Sequence, residues 1–210
     1  MLTHIFIYGI LLNIYTKYDK IIVYGSDIMF KQLKILDERD KRLRQISKEV
    51  TLPLSNKDKE TIDKIIKQLT YSQIEELSEK YDLRPGMGLA FPQLGILKRI
   101  IVIVYEYEEG KFENYVVVNP KIISHSEEMV ALETGEGCLS VNREVDGHVP
   151  RYARITLTGY DMDGNKLSLR LREELAVAFQ HEVDHLNGIL FFDKINKKKP
   201  FYSENEIRLI

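Results

Sequence analysis

Tryptophan is absent from this chain, and cysteine occurs once in 210 residues. A single thiol rules out any disulfide within the chain, and its cysteine usage carries no mark of an oxidising compartment. Charge of one sign is also lacking: 30 Lys and Arg stand against 32 Asp and Glu, a formal net charge of −2. Such a chain advertises no general affinity for nucleic acid, and DNA is not expected as a partner. Long apolar runs are missing as well. Residues 5–12 are apolar, but Asn13 interrupts them before they could span a bilayer. No Lys or Arg precedes the run and no small-residue cleavage site follows it. It therefore fits a secretory signal poorly, and no stable membrane association is expected. Internal repeats and low-complexity linkers are absent. What remains is 44% apolar content, enough for the core of a single domain.

The most informative segment is Gln180-His181-Glu182-Val183-Asp184-His185. Histidines four apart share one face of a helix, so both imidazoles can reach one metal ion. Glu182, between them, sits where a general base for water is needed. Leu175, Ala176, Val177, Ala178 and Phe179 run directly into the motif. A helix that apolar is buried, and buried histidines need partners. A solvated turn that carries two histidines by chance fits less well.

A catalytic site of this kind wants three protein ligands and one open position. The extended form H-E-x-x-H-x-x-G-x-x-H is met at Gly188, but Phe191 stands at its third histidine and cannot ligate. A later glutamate, Glu204 or Glu206, would need a packed second helix, which Lys197-Lys198-Lys199-Pro200 interrupts. Cys138 remains. A lone cysteine is most often a small buried hydrophobe. Its setting, Glu136-Gly137-Cys138-Leu139-Ser140, reads instead as a strand-like turn whose glycine lets backbone approach a ligand. Cys, His and His form a catalytic donor set with the fourth position open, and a thiolate accommodates a softer ion.

Three motifs in order resemble those of the peptide deformylases: Gly86-Met87-Gly88-Leu89-Ala90-Phe91-Pro92-Gln93, then the Cys138 motif, then the 180–185 motif. The last two match the family pattern in full, while the first carries Phe91 where the family has alanine. The resemblance runs from near Phe30 to Phe201. Arg84-Pro85 and the long stretch between Gln93 and Glu136 look like the type common in low-GC Gram-positive bacteria and their wall-less relatives. The resemblance implies hydrolysis of the formyl amide on N-formylmethionyl nascent peptides, releasing formate, in the cytoplasm. Cys138, His181 and His185 would hold one divalent ion, ferrous iron in the cell, with nickel, cobalt or zinc as substitutes. Glu182 would take a proton from the attacking water and deliver it to the leaving amine. The Gln93 side-chain amide and the Leu139 N–H would stabilise the oxyanion. Gly88 and Gly137 would present backbone to an extended peptide, which pairs as an added strand. Met87, Val177 and Ala178 are expected to line the methionine pocket. Glu136, Arg151 and Asp184 are expected behind the ligands as orienting groups, with Arg151 paired to Glu136. For Arg151 and Asp184 the competing reading is an ordinary surface ion pair.

Relatives of this type begin close to Met29, so residues 1–28 read as an extension outside the native protein and 29–210 as one catalytic domain. A membrane-facing extension is the rival reading. Lys194 and the lysines at 197–199 read as a solvated tail, with transient docking on ribosomal RNA as the alternative. Two other functions compete: a metallopeptidase with a glutamate ligand, and an inactive metal-binding protein, which would need neither Glu182 nor Gln93. His4, His125 and His148 have no motif context.

The expected fold class is α+β, with antiparallel β-sheets packed around a central metal-binding α-helix. Ser55 and Asp58 open a helix with Ile62, Ile65, Ile66 and Leu69 on one face, continuing through Ile74 and Leu77 toward Tyr81. Residues 100–107 read as a strand that turns at 108–111 into 115–118. Residues 155–160 and 166–171 read as a hairpin around Asp163-Gly164. The metal helix ends at Asn187-Gly188. Strands would supply the cysteine and the helix both histidines.

Overall fold

Ser55 accepts the backbone N–H of Asp58 at 3.2 Å and so starts the first helix, α1 (Asn56–Gln73). The computed structural model describes residues 30–210; the expected extension, the start at Met29 and His4 lie outside the described residues. Ile62, Ile65, Ile66 and Leu69 are buried on one face of α1, as their spacing requires. The helix does not run on to Tyr81. Ile74 is extended, at φ −102 and ψ 114, and a short helix α2 (Glu75–Lys80) follows it. The break coincides with Gln73, whose amide donates to the carbonyls of Gly86 at 3.1 Å and Val104 at 3.0 Å. Tertiary hydrogen bonds override helix propensity at that point.

The strands are β1 (Gly88–Ala90), β2 (Ile100–Glu108), β3 (Lys111–His125), β4 (Met129–Ala131), β5 (Arg151–Tyr152), β6 (Arg154–Tyr160), β7 (Lys166–Arg172) and β8 (Arg208–Leu209). The larger sheet is antiparallel throughout, in the order β1-β2-β3-β6-β7. The first five residues of β2, Ile100 to Val104, are a continuous apolar run because both faces are covered there. Ile100, Val102 and Val104 pack with α1, and Ile101 and Ile103 pack with the third helix, α3 (Glu173–Leu186). The hairpin of β6 and β7 pairs Arg154 with Arg172 through Tyr160 with Lys166, extending each expected strand by one residue at the open end of the hairpin. β3 is 15 residues long, far beyond the expected 115–118. It pairs with β2 along its first half and β6 along its second, and Asn119-Pro120 together with the adjacent Ile122-Ile123 break any apolar alternation along it.

The smaller sheet runs β5-β4-β8 and is mixed, since β8 lies parallel to β4. The expected α+β class with antiparallel sheets holds, and β8 adds one parallel pairing with a strand far away in sequence. Between the sheets α3 buries Ala176, Phe179, Val183 and Leu186 against Ile101, Ile103, Val117, Ile155 and Leu157. The helix ends at Asn187, and Gly188 at φ 74 turns the chain away. A Cβ at Gly188 would lie 2.7 Å from the Arg44 carbonyl oxygen. Phe91 is fully buried among Leu89, Val102 and the α1 isoleucines, in the core beneath that helix.

Candidate active site

Buried in the second half of α3, His181 and His185 sit one turn apart with ring centroids 5.0 Å from each other. Cys138 comes to them from the loop between β4 and β5, not from a strand as the sequence suggested. Its Sγ lies 3.3 Å from His185 Nε2, and one ligand-type atom from each of the three residues falls within 4.8 Å of the others. Among the described residues this is the one His, Cys, Asp and Glu group so arranged. The donor set fits a divalent metal. One sulfur and two imidazoles converge, and His181 Nδ1 is 2.8 Å from Glu136 Oε2, which leaves Nε2 for an ion. Burial, with the positive charges of His181 and Arg151 nearby, holds His185 well below its ordinary pKa, in the neutral form a metal needs. Burial also favours neutral His181, but hydrogen bonds to Cys138 and Glu136 hold it well above 6.5, a proton that a metal ion would replace.

Behind the ligands lies a buried ionic cluster. Arg151, 2% exposed, donates to both oxygens of Glu136 at 2.7 and 2.9 Å and to Asp184 Oδ2. The surface-pair reading of Arg151 and Asp184 is therefore replaced by a buried ionic network. Burial alone would raise the Glu136 carboxyl, yet Arg151 and His181 bring it down to about 2. Lys194 comes within 3.4 Å of Asp184, so it is not part of a free lysine tail. Gln180, in the motif without an assigned role, clamps α3 to β5: it accepts Tyr152 N–H at 3.0 Å and donates to Tyr152 O at 2.9 Å.

A cleft of about 700 Å³ opens over these groups. Gln93, Leu139, Glu182, Cys138 and His181 line it, as do Met87, Gly88, Gly137, Val177 and Ala178. His185, Arg151 and Asp184 lie behind the lining, and Phe91 is not part of it. Gln93 is fixed from both ends. Its Oε1 accepts Ala90 N–H at 2.8 Å, while Nε2 donates to Ser140 Oγ at 3.2 Å and lies 3.7 Å from Cys138 Sγ. Glu182 is 4% exposed, and its Oε2 is without a hydrogen-bond partner among the described residues. Burial pushes its carboxyl up to about 7, with the charges of His181 and Glu136 acting in opposite directions. A group near 7 can take and give a proton in neutral water. Gly88 makes room for it: a Cβ there would stand 2.5 Å from Glu182 Oε1. β1, which carries Gly88, is an outer strand of its sheet, with one edge free of strand partners among the described residues.

Arg84 is a contributor that the sequence marked only as a feature of type. It donates to the carbonyls of Val141 at 3.0 Å and of Leu139, and so holds the loop beside Cys138. Glu206, weighed as a ligand, is bound instead to Lys199 and Ser203. His125 stacks on Tyr152, and buried His148 accepts Tyr202 N–H at 3.0 Å; neither belongs to the Cys, His, His group.

The family model described as polypeptide deformylase matches residues 32–201. A protein named peptide deformylase 2 from Bacillus anthracis is 47% identical over 173 residues, covering 82% of this chain and 94% of its own length. A peptide deformylase from Oceanobacillus iheyensis is 49% identical over 173 residues, with the same coverage. Among solved structures, a plant peptide deformylase superposes with a TM-score of 0.66 at 31% identity, covering 82% of this chain and 85% of that one. The peptide deformylase of Thermotoga maritima gives 0.63 at 33%, covering 80% and 99%. With this cleft, these donors and these relatives, the chain belongs to the peptide deformylase family of metal-dependent hydrolases.

Proposed function

We propose that Cys138, His181 and His185 hold the divalent ion with which this hydrolase removes the formyl group from N-formylmethionyl nascent peptides, and that Glu182 is its base. The observation that carries the assignment is the buried, unpartnered Glu182 Oε2 in the same cleft as the Cys, His, His donors. When bound, the ion supplies the Lewis acidity that makes water nucleophilic near neutral pH. Glu182 takes the proton of the attacking water and returns it to the leaving nitrogen, so formate departs from a free amino terminus. The Gln93 Nε2 and the Leu139 N–H donate to the formyl oxygen as it gains charge. The peptide lies extended along the free edge of β1, with Gly88 and Gly137 presenting backbone on either side. Met87, Val177 and Ala178 receive the methionine side chain. Glu136 fixes the ring of His181, while Arg151 holds Glu136 and Asp184 in turn.

Ferrous iron is the ion we assign in the cell, with nickel, cobalt or zinc able to replace it; a thiolate with a borderline metal supports this. The reading puts the enzyme in the cytoplasm, where formylated chains emerge. Among the described residues no helix is long and apolar enough to cross a membrane. Docking on ribosomal RNA would rest on Lys197 and Lys198, since Lys194 and Lys199 each face a carboxylate. Unchanged ribosome association after charge reversal of that pair would exclude it. The same reading starts the native protein at Met29; intact mass from the native host tests this, and a chain retaining Met1 defeats it.

The deciding experiment is formate release from a formyl-Met tripeptide by anaerobically purified, iron-loaded protein, alongside Glu182→Ala. Rapid release by the wild type, reduced about 100-fold or more in the variant at equal metal content, is expected. Full activity in the variant would sink the base assignment. A metal-loaded wild type inert on every formyl peptide would leave only a binding role.

A further inference from the structure

One wall of the cleft is braced from behind by β8 and the residue after it. β8 pairs in parallel with β4, Val130 opposite Arg208 and Ala131 opposite Leu209. The ladder continues past the strand: Ile210 N–H donates to Ala131 O at 2.9 Å, and Glu133 N–H donates to Ile210 O at 3.0 Å. Leu132 and Thr134, on either side of Glu133, are part of the cleft lining. The brace has a second, ionic anchor. Arg208 forks onto Glu173 at 2.8 and 2.9 Å and reaches Glu128 at 2.9 Å. Glu173 is the first residue of α3 and stands at φ 52, a left-handed conformation that costs a residue with a side chain. The fork therefore steadies the entry of the helix that brings Val177 and Ala178 to the cleft one turn later.

Between these anchors lies a small apolar cluster. Val130, Ala153 and Val177 are buried, and Leu132 and Ile210 pack half-buried against them. Leu132 and Val177 belong to both sets, cluster on one side and cleft lining on the other. Ile210 belongs to the cluster alone. Because a close-packed interior transmits the loss of even one methylene, the wall moves when what lies behind it shrinks.

We propose that Ile210 is a positioning residue for substrate selection: by filling the space behind Leu132 and Val177, it sets how closely the side-chain pocket fits methionine. The proposal rests on the assignment of Met87, Val177 and Ala178 to that pocket. A change of one methylene inside an apolar pocket alters discrimination by about 10- to 200-fold, and a change behind the wall belongs at the low end of that range.

The test compares kcat and KM of wild type, Ile210→Ala and Ile210→Val on tripeptides that begin with formyl-Met, formyl-Ala or formyl-Phe. In Ile210→Ala the preference for formyl-Met over formyl-Phe should fall about ten-fold, mainly through KM for formyl-Met, with kcat within about two-fold. Ile210→Val should recover most of the preference. An unchanged ratio in Ile210→Ala, or an equal loss on all three peptides, overturns the proposal. If Ile210→Ala shows no cooperative melting transition, Ile210→Val decides: a folded valine variant must lose part of the preference, and an unaltered ratio overturns the proposal. A wild type inert on every formyl peptide would instead remove the reading on which the proposal stands.

Discussion

A methyl group at position 88 has nowhere to go. It would lie 2.5 Å from Glu182 Oε1 and 2.9 Å from Cδ and Cγ of the same side chain, so the proposed base must shift if glycine becomes alanine. A misplacement near 1 Å costs on the order of 100-fold in rate. Gly88→Ala is therefore expected to lower kcat by about that factor with metal content and melting temperature nearly unchanged. Undiminished kcat would mean that the observed position of Glu182 does not limit the reaction. Arg151 argues differently, through desolvation. It is 2% exposed and its charge is met by Glu136 and Asp184. Breaking a buried pair costs about 3–5 kcal/mol when the other charge is left alone; without Glu136, Arg151 keeps only Asp184, which places the cost near the low end, about 3 kcal/mol. Glu136→Leu should thus lose roughly that much in urea unfolding at pH 7. A loss below about 1 kcal/mol would mean the cluster relaxes or hydrates. None of this burial was legible locally. Arg151 is enclosed by carboxylates 15 and 33 positions away, and an arginine outside the motifs reads by its charge equally well as a surface pair.

At the scale of elements, the start of α1 was open to reading and its end was not. Ser55 and Asp58 announced the N-terminus, and the isoleucine spacing announced the buried face. The stop at Ile74 depends on Gln73 finding the carbonyls of Gly86 and Val104, which local propensity does not encode. The same holds for β8, whose partner β4 lies far upstream and whose two residues carry no alternation. α3, by contrast, was legible because its chemistry and its apolar face occupy one stretch of chain. The helix start also carries a pH signature. Lys98 Nζ lies 2.6 and 2.7 Å from the two oxygens of buried Asp58, and Ser55 donates to Oδ2 at 2.6 Å. Burial alone would raise that carboxyl; the hydrogen bonds and the Lys98 charge outweigh it and hold Asp58 below its ordinary value. A depressed folded pKa stabilises above the unfolded value, about 3.9, and the stabilisation is lost as pH falls through the folded value. Asp58→Asn should therefore be less stable than wild type at pH 7 by about 1 kcal/mol, discounted because Lys98 is partly exposed. In urea titrations that difference should shrink below about pH 4. A gap that stays constant down to pH 2.5 would assign the loss to packing.

For the molecule as a whole, the proposed metal donors join parts that the sheets keep separate. Cys138 follows the smaller sheet, whereas His181 and His185 belong to the helix packed on the larger one. Only the folded chain brings the three together, so an ion bound there stabilises by mass action: about 4 kcal/mol when its free concentration is a thousand times its dissociation constant. For a chain of this size each kcal/mol moves the melting temperature by about 2–4 °C, which gives a shift of roughly 8–16 °C on stripping the metal with a chelator. Three samples separate the roles within this linkage. Wild type should melt lower after chelation. Cys138→Ser should melt near the stripped wild type and respond little to added metal, because the donor that ties the loop to the helix is weakened. Glu182→Ala should keep the full chelator-dependent shift while losing turnover, since a base is not needed to hold an ion. Identical melting of loaded and stripped wild type would deny the loop-to-helix tie. A Glu182→Ala variant that lost the shift would move that carboxylate from the reaction into the ligand set, and the open position required for water would have to be found elsewhere in the cleft.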